Sequence, residues 1–432
     1  MHRFDISSQE IVMETLKFSI FNRLVADENQ YYLFNTRTGS LAELNQDEKD
    51  RYISLLNSDD SSFGSSDLFI RSLIEAQFLI SKDLNEIQLL ETEAENLNCA
   101  ENRVLGLTIA PTLNCNFCCT YCYEKKSDKR NTMTADVQED LLTFIKNNLK
   151  GKSGLSVCWY GGEPTLTLSI IENLSEQIIK ICEEAKMSYF ASMITNGFLL
   201  TAENIKTINK CQITALQVTL DGLKKDHDRR RIHKNGNGTF DTIVNNLIEN
   251  YNLLPHVSLR VNTDRANRNS VFDLYCFFKE LNMLDKIAVY PGKTSNIDDC
   301  CHKDSCLSSQ DFSELALSYL KATNASVQKL LPARKQIRCT ADSDQSYVIG
   351  PQGELYKCWD DIGKKEYTTG DIWTGWNENN RFIQFKNSMP FSDLECVNCD
   401  CLPICLGNCP RLFFEQKECS KYKYDGPHKS NF

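Results

Sequence analysis

Cysteine content and placement constrain this chain more than any other feature. Its 432 residues include 20 Cys, about one in twenty, which is sparser than a small disulfide scaffold but denser than packing in a reduced enzyme requires. The stretch Met1-His2-Arg3-Phe4-Asp5 lacks the apolar core and small-residue cleavage site of a secretory signal. No apolar run approaches the roughly 18 residues that a membrane span needs. A reducing, cytoplasmic setting is therefore expected, and there a crowd of thiols serves as metal ligands rather than disulfides. The length suits two or three domains. The net charge of -10 argues against a nonspecific nucleic-acid binder.

The first cysteine group follows the apolar run 104–110, a candidate strand. Cys115, Cys119 and Cys122 form C-x3-C-x2-C, so three thiolates converge from one loop, as an iron-sulfur site requires. Three ligands on a four-iron cube leave one iron open to a substrate or cofactor. A zinc loop is the competing reading, but zinc more often uses paired C-x2-C elements supplying four ligands. Cys118 falls outside the spacing and reads as a small buried apolar residue.

Forty residues on, the strand-like run 155–160 ends in Gly161-Gly162-Glu163-Pro164. The glycines would let backbone approach a ligand closely, and Glu163 can accept from an ammonium. Two more strand ends carry Thr195-Asn196-Gly197 and Thr219-Leu220-Asp221-Gly222. Together with Tyr121 before the last cysteine, these segments resemble the radical S-adenosylmethionine (SAM) enzymes. The resemblance implies a [4Fe-4S] cluster on Cys115, Cys119 and Cys122 whose open iron is chelated by the amino and carboxylate groups of SAM. It also implies that Gly161, Gly162, Glu163 and Pro164 contact the methionyl amine, and that Thr195, Asn196, Thr219 and Asp221 reach the ribose or methionine region. The basic run 226–234 reads as a solvated loop by charge alone. The same resemblance would bring its Arg230 and Arg231 near cofactor or substrate.

Helical periodicity in 135–149, 169–185, 202–209, 239–252 and 271–281 alternates with β-rich runs at 189–194, 213–220, 257–262 and 287–290. About six strand-helix units with right-handed crossovers make an α/β fold with a parallel sheet. The family resemblance sharpens this to a partial (β/α)6 barrel.

The carboxyl-terminal cysteines read Cys339-x13-Gly353-x4-Cys358, then Cys396-x2-Cys399-x5-Cys405-x3-Cys409, then Cys419. A small loop-rich segment of this kind needs metal to fold, either as two further clusters or as two zinc sites. It resembles the SPASM domain of radical SAM enzymes that modify peptides, which implies two auxiliary [4Fe-4S] clusters and three clusters in all. By that resemblance Cys396, Cys399, Cys405 and Cys419 hold the outer cluster, and Cys339, Cys358 and Cys409 the inner one. Ala333 stands where a fourth inner ligand belongs. The inner cluster is then open at one iron, or is completed by Cys300, Cys301 or Cys306. Cys401 is a spare thiol in this scheme. Asp360 and Asp361 are candidates for a catalytic base, because the sulfatase-maturing branch has an Asp directly after this cysteine. Here Trp359 intervenes, and an acidic pair on a solvated turn is the alternative.

Ahead of the barrel, 31–34 and 40–44 flank a Gly39-containing turn and read as a hairpin; Asn45 with Glu48 marks a helix start, and a second helical stretch spans 67–78. Residues 83–98 read as a linking segment. The region resembles the winged-helix recognition domain of ribosomal-peptide maturases, which binds a leader peptide as an added strand. A packing cap on the barrel is the competing reading. The expected division is thus 1–98, 99–310 and 311–432.

The resemblance implies a radical SAM/SPASM oxidoreductase that modifies a ribosomally made precursor peptide through a 5'-deoxyadenosyl radical, forming a thioether or carbon-carbon cross-link. A formylglycine-forming sulfatase maturase and a peptide epimerase are the alternatives, and a noncatalytic metal scaffold is a remote one. The partners implied are the leader-bearing peptide and an electron donor such as flavodoxin or ferredoxin, with neither nucleic acid nor membrane.

Overall fold

A computed structural model describes residues 15–27, 30–58, 67–99, 104–126, 131–295, 305–325, 332–335, 337–419 and 421. Two compact units divide the chain: 1–97 with 326–338 and 389–409, and 98–325 with 339–388 and 410–432. Residues 326–338 and 389–409, read from sequence as part of the C-terminal segment, thus group with the N-terminal unit. Cys300 and Cys301 lie outside the described residues.

In the first unit, β1 (Leu16–Phe18), β2 (Asn22–Asp27), β3 (Gln30–Asn35), β4 (Leu41–Leu44) and β5 (Leu79–Ser81) make two small antiparallel sheets, β2-β3-β4 and β1-β5. The hairpin read from sequence is β3-β4, with Phe34 opposite Leu41. Helix α1 (Gln46–Leu56) starts at Asn45, whose side chain accepts from the Glu48 N–H while Glu48 accepts from the Asn45 N–H. This reciprocal cap fills two of the donors a helix start leaves open. Helix α2 (Leu68–Glu75) is capped by Asp67 and closes a core of Leu33, Leu44, Tyr52, Ile70, Leu73, Phe78 and Leu79. The expected linker 83–98 is instead largely helix α3 (Glu86–Cys99). Its sequence is acidic and only thinly apolar, but Leu90 and Ala94 fall on one buried stripe, which tertiary packing rewards.

The second unit is built on β6 (Val104–Ile109), β7 (Gly154–Trp159), β8 (Ser188–Thr195), β9 (Ile213–Thr219), β10 (His256–Thr263) and β11 (Ile287–Lys293). Each pairs in parallel with the next in sequence, an order expected of a barrel wall rather than a doubly wound sheet. Two further strands, β12 (Ser346–Ile349) and β13 (Leu355–Tyr356), extend the β6 edge. Helices α4 (Ala135–Asn148), α5 (Leu168–Glu184) and α6 (Ala202–Lys210) follow the first three barrel strands. After β9 come α7 (Lys224–Arg230) and α8 (Phe240–Glu249), and α9 (Ser270–Glu280) follows β10. Leu107, Val157, Met193, Val218 and Leu259 share one buried core with Leu141, Ile178 and Leu274 from the helices. Among the described residues no helix is long and apolar enough to cross a membrane.

Candidate functional site

The singled-out segments gather at the carboxyl ends of β6 to β9, where parallel α/β sheets place their ligands. The cysteine loop is strapped down on two sides. Cys118 N–H donates to the Ile232 carbonyl (2.8 Å), Thr120 N–H to Arg230 (2.9 Å), and Lys234 N–H returns to Asn116 (2.9 Å). On the other side Gly162 N–H donates to Thr112 (3.1 Å) and Glu163 N–H to Asn114 (2.9 Å). Packing against the cysteine loop requires both glycines. A Cβ on Gly161, which has φ +112°, would strike the Thr112 carbonyl, and one on Gly162 would lie 2.6 Å from the Leu113 oxygen. They let the turn after β7 lie flat against the cysteine loop.

Cys119 is buried, and Cys115 and Cys122 are half-buried. Burial pushes the Cys115 thiol up to about 12, aided by the Glu163 carboxylate, and pushes Cys122 up to about 12, aided by Glu124. Thiols so dehydrated keep their protons unless a metal takes the proton's place. The Arg231 guanidinium beside Cys119 supplies a positive charge for anionic sulfur. Three dehydrated thiols on one loop with a buried cation fit an iron-sulfur group. Cys118 is exposed, with its thiol against the Ile232 carbonyl at 3.5 Å. This corrects the reading of it as a buried apolar residue: the strap fixes its backbone while its side chain faces outward.

Glu163 is almost completely buried. One carboxylate oxygen accepts from Thr165 N–H (3.1 Å), Thr165 hydroxyl (2.5 Å) and Thr195 hydroxyl (2.7 Å), and the other accepts from Asn196 N–H (2.7 Å). Burial holds its carboxyl above the ordinary range in spite of these four donors. The residue thus joins the ends of β7 and β8. Asn196 extends the tie by donating to Asn116 in the cysteine loop at 2.7 Å.

A second network centres on Asp221, which is fully buried. Its Oδ2 accepts from the Tyr121 hydroxyl (2.6 Å) and Arg230 Nε (3.1 Å), and its Oδ1 accepts from Asn262 N–H (3.1 Å). Tyr121 also receives Arg231 Nη1 (2.7 Å) and Asn262 Nδ2 (3.1 Å). The basic run is therefore no solvated loop, since α7 turns His227 and Arg230 inward. His227 Nδ1 accepts from Asp221 N–H (3.2 Å), so its Nε2 carries the hydrogen that meets Thr239 Oγ1 at 3.0 Å. Burial, with Arg231 and Arg230 close by, holds His227 well below its usual range. Sequence reasoning missed His227, Asn262, Asn116 and Thr165. Only the three-dimensional meeting of strand ends gives them partners.

Beyond the loop, the Tyr123 and Tyr160 hydroxyls are hydrogen-bonded, and Tyr160 stacks on Trp359 with centroids 5.7 Å apart. Burial, aided by the Glu124 and Asp360 carboxylates, pushes both tyrosines up. Asp361 points elsewhere. It is fully buried between Arg381 (2.7 and 2.9 Å) and Arg411 (2.9 Å). Cys358 follows β13 by two residues, and burial first, then Asp360, Asp361 and Cys339, push its thiol well up. Cys339 is half-buried, and Cys419 is exposed. The neighbouring Glu418 is held by Lys293 at the end of β11. In the first unit, Cys396, Cys399, Cys405 and Cys409 are half-buried. Lys335, two residues from the exposed Ala333, donates to the Pro403 and Cys405 carbonyls at 3.0 and 3.2 Å. Cys306 is half-buried beside Arg265, which donates to its carbonyl at 3.2 Å.

Strand ends, cysteine loop and fold together define a radical SAM domain. The sequence model of the Radical SAM superfamily matches residues 109–260, and this chain carries that domain. It is homologous to a cysteine-type anaerobic sulfatase-maturating enzyme of Clostridium novyi (strain NT), at 24% identity over 333 residues, 71% of this chain and 88% of the relative. Among solved structures, anSMEcpe with bound AdoMet and the Cp18Cys peptide shares the fold at TM-score 0.59 and 20% identity, covering 74% of this chain and 94% of its own. Streptococcus suis SuiB bound to precursor peptide SuiA shares it at TM-score 0.55 and 16% identity, covering 93% and 97%. The match to that domain model implies a [4Fe-4S] cluster and SAM.

Proposed function

We propose that this protein is a radical SAM enzyme that modifies a ribosomally made precursor peptide by forming a thioether or carbon-carbon cross-link. The observation that carries the reading is the extent of the fold match. The likeness to SuiB runs over 93% of the chain, whereas that to the sulfatase-maturing structure runs over 74%. SuiB is seen with its precursor peptide, and the antiparallel sheet β2-β3-β4 of the first unit has free edges among the described residues to which a leader could add a strand.

Cys115, Cys119 and Cys122 would hold the SAM cluster, and the seven carboxyl-terminal cysteines two auxiliary clusters. A cluster and SAM bound there would supply the radical chemistry that removes a hydrogen from a substrate carbon. The chain's own residues position and shield. Glu163, Thr195 and Asn196 fix the floor beside Cys115, while Tyr121, Asp221, Arg230 and Arg231 fix the wall beside Cys119. Of the acidic pair, Asp360 is the base candidate, because Asp361 is committed to two arginines.

Mass spectrometry of the peptide encoded beside this protein, after anaerobic reaction with SAM and reductant, tests the reading. A loss of two hydrogens is the expected result. Unchanged mass with deuterium gained from heavy water assigns an epimerase, and formylglycine in a sulfatase assigns the second reading, which the homology to a sulfatase-maturating enzyme favours.

A further inference from the structure

Cys401 lies outside the seven-cysteine spacing, yet in the first unit it is 1% exposed. Its Sγ, the Sγ of Cys399 and a carboxylate oxygen of Asp400 all lie within 4.8 Å of one another. From the opposite side comes Arg23 on β2. Its Nη1 donates to Cys401 Sγ, and its Nε lies 3.4 Å from Asp400 Oδ2. The loop is fastened there by further contacts. Thr36, just after β3, donates to the Asp400 carbonyl at 2.5 Å, and Leu402 and Leu406 pack on Phe21 and Leu90.

A buried sulfur so placed can bind a metal itself or act on its neighbour's sulfur. The second use fits the contacts. Arg23 donates to the Cys401 sulfur, and that sulfur lies within 4.8 Å of the Cys399 sulfur. The Arg23 side chain is 7% exposed, so its charge is little screened by water.

We propose that Arg23 and Cys401 form a two-bond relay onto the Cys399 sulfur that sets the reduction potential of the auxiliary cluster Cys399 would hold. The inference rests on the reading of Cys399 as a cluster ligand. Hydrogen bonds to cluster sulfurs and nearby positive charge favour the reduced, more negative state and raise the potential. Cys401 is thus a positioning and tuning residue rather than a spare thiol. The relay begins on the N-terminal sheet, so that sheet is wired to the cluster's redox state.

The test is a potentiometric titration of the anaerobically reconstituted holoenzyme, following each cluster by electron paramagnetic resonance. Cys401→Ala is expected to lower one midpoint potential, leave the others in place and keep the full iron content. Cys401→Ser, which retains a donor, is expected to restore most of the wild-type value. Arg23→Gln is expected to lower the same midpoint and carries the test alone should Cys401→Ala not fold. Midpoints unmoved in Cys401→Ala and Arg23→Gln overturn the relay. So does loss of about four iron from Cys401→Ala, which would make Cys401 itself a ligand of a [4Fe-4S] cluster. Wild-type protein whose iron is confined to the SAM cluster overturns instead the underlying reading of Cys399, before any variant is made.

Discussion

The Tyr121 hydroxyl donates to Asp221 Oδ2 across 2.6 Å, tying the last turn of the cysteine loop to the end of β9. Tyr121→Phe removes that donor and takes a partner from Arg231 and Asn262. Leaving buried polar groups unmet costs about 1–3 kcal/mol each. Urea unfolding should show a loss of that order, with iron content retained.

Gly162→Ala is expected to cost the SAM cluster rather than the fold. Its Cβ would lie 2.6 Å from the Leu113 carbonyl and press on Asn114, displacing the backbone that leads into Cys115. Iron analysis should fall by the equivalent of one cluster, while circular dichroism stays near that of the wild type.

The acidic pair after Cys358 should separate cleanly. Asp361→Asn leaves Arg381 and Arg411 against a neutral amide, with the Glu415 carboxylate still shared between them. Breaking a buried pair in this way destabilises by about 3–5 kcal/mol. Asp360→Asn, at a half-buried position, should cost less stability than Asp361→Asn and should lower peptide turnover. Equal effects of the two variants on unfolding would contradict the geometry.

The barrel was the most legible part of this chain, and physics says why. Strands β6 to β11 bury alternate side chains, and their helices carry 3.6-residue periodicity, so local pattern and tertiary fate agree. Cys115, Cys119 and Cys122 were legible because one loop supplies all three. The N-terminal unit was half legible. Asn45 with Glu48 announced α1, but α3 hid behind its acidic residues, because its helicity rests on the packing of Leu90 against Phe21, Leu402 and Leu406. His227 and Asn262 could not be read at all, since each acts through partners dozens of residues away or through a backbone N–H. The placement of 389–409 with residues 1–97 was equally hidden, because contacts such as Arg23 with Cys401 leave no trace in spacing.

His227 gives a pH signature. It is held neutral by burial, with a folded value well below the usual 6.5. The unfolded chain therefore binds the extra proton first as pH falls. Stability from this group is complete above about pH 6.5 and declines below it. Protonation of Nδ1 would also break the bond from Asp221 N–H. Unfolding midpoints measured between pH 7.5 and 5.5 should fall more steeply for the wild type than for His227→Asn.

Metal and SAM chemistry of the anaerobically purified protein test the central claim most directly. About twelve iron and twelve sulfide per chain are expected for three four-iron clusters. 5'-Deoxyadenosine should form from SAM under reduction and disappear in Cys115→Ala. Zinc in place of iron, with no 5'-deoxyadenosine formed, would contradict the account.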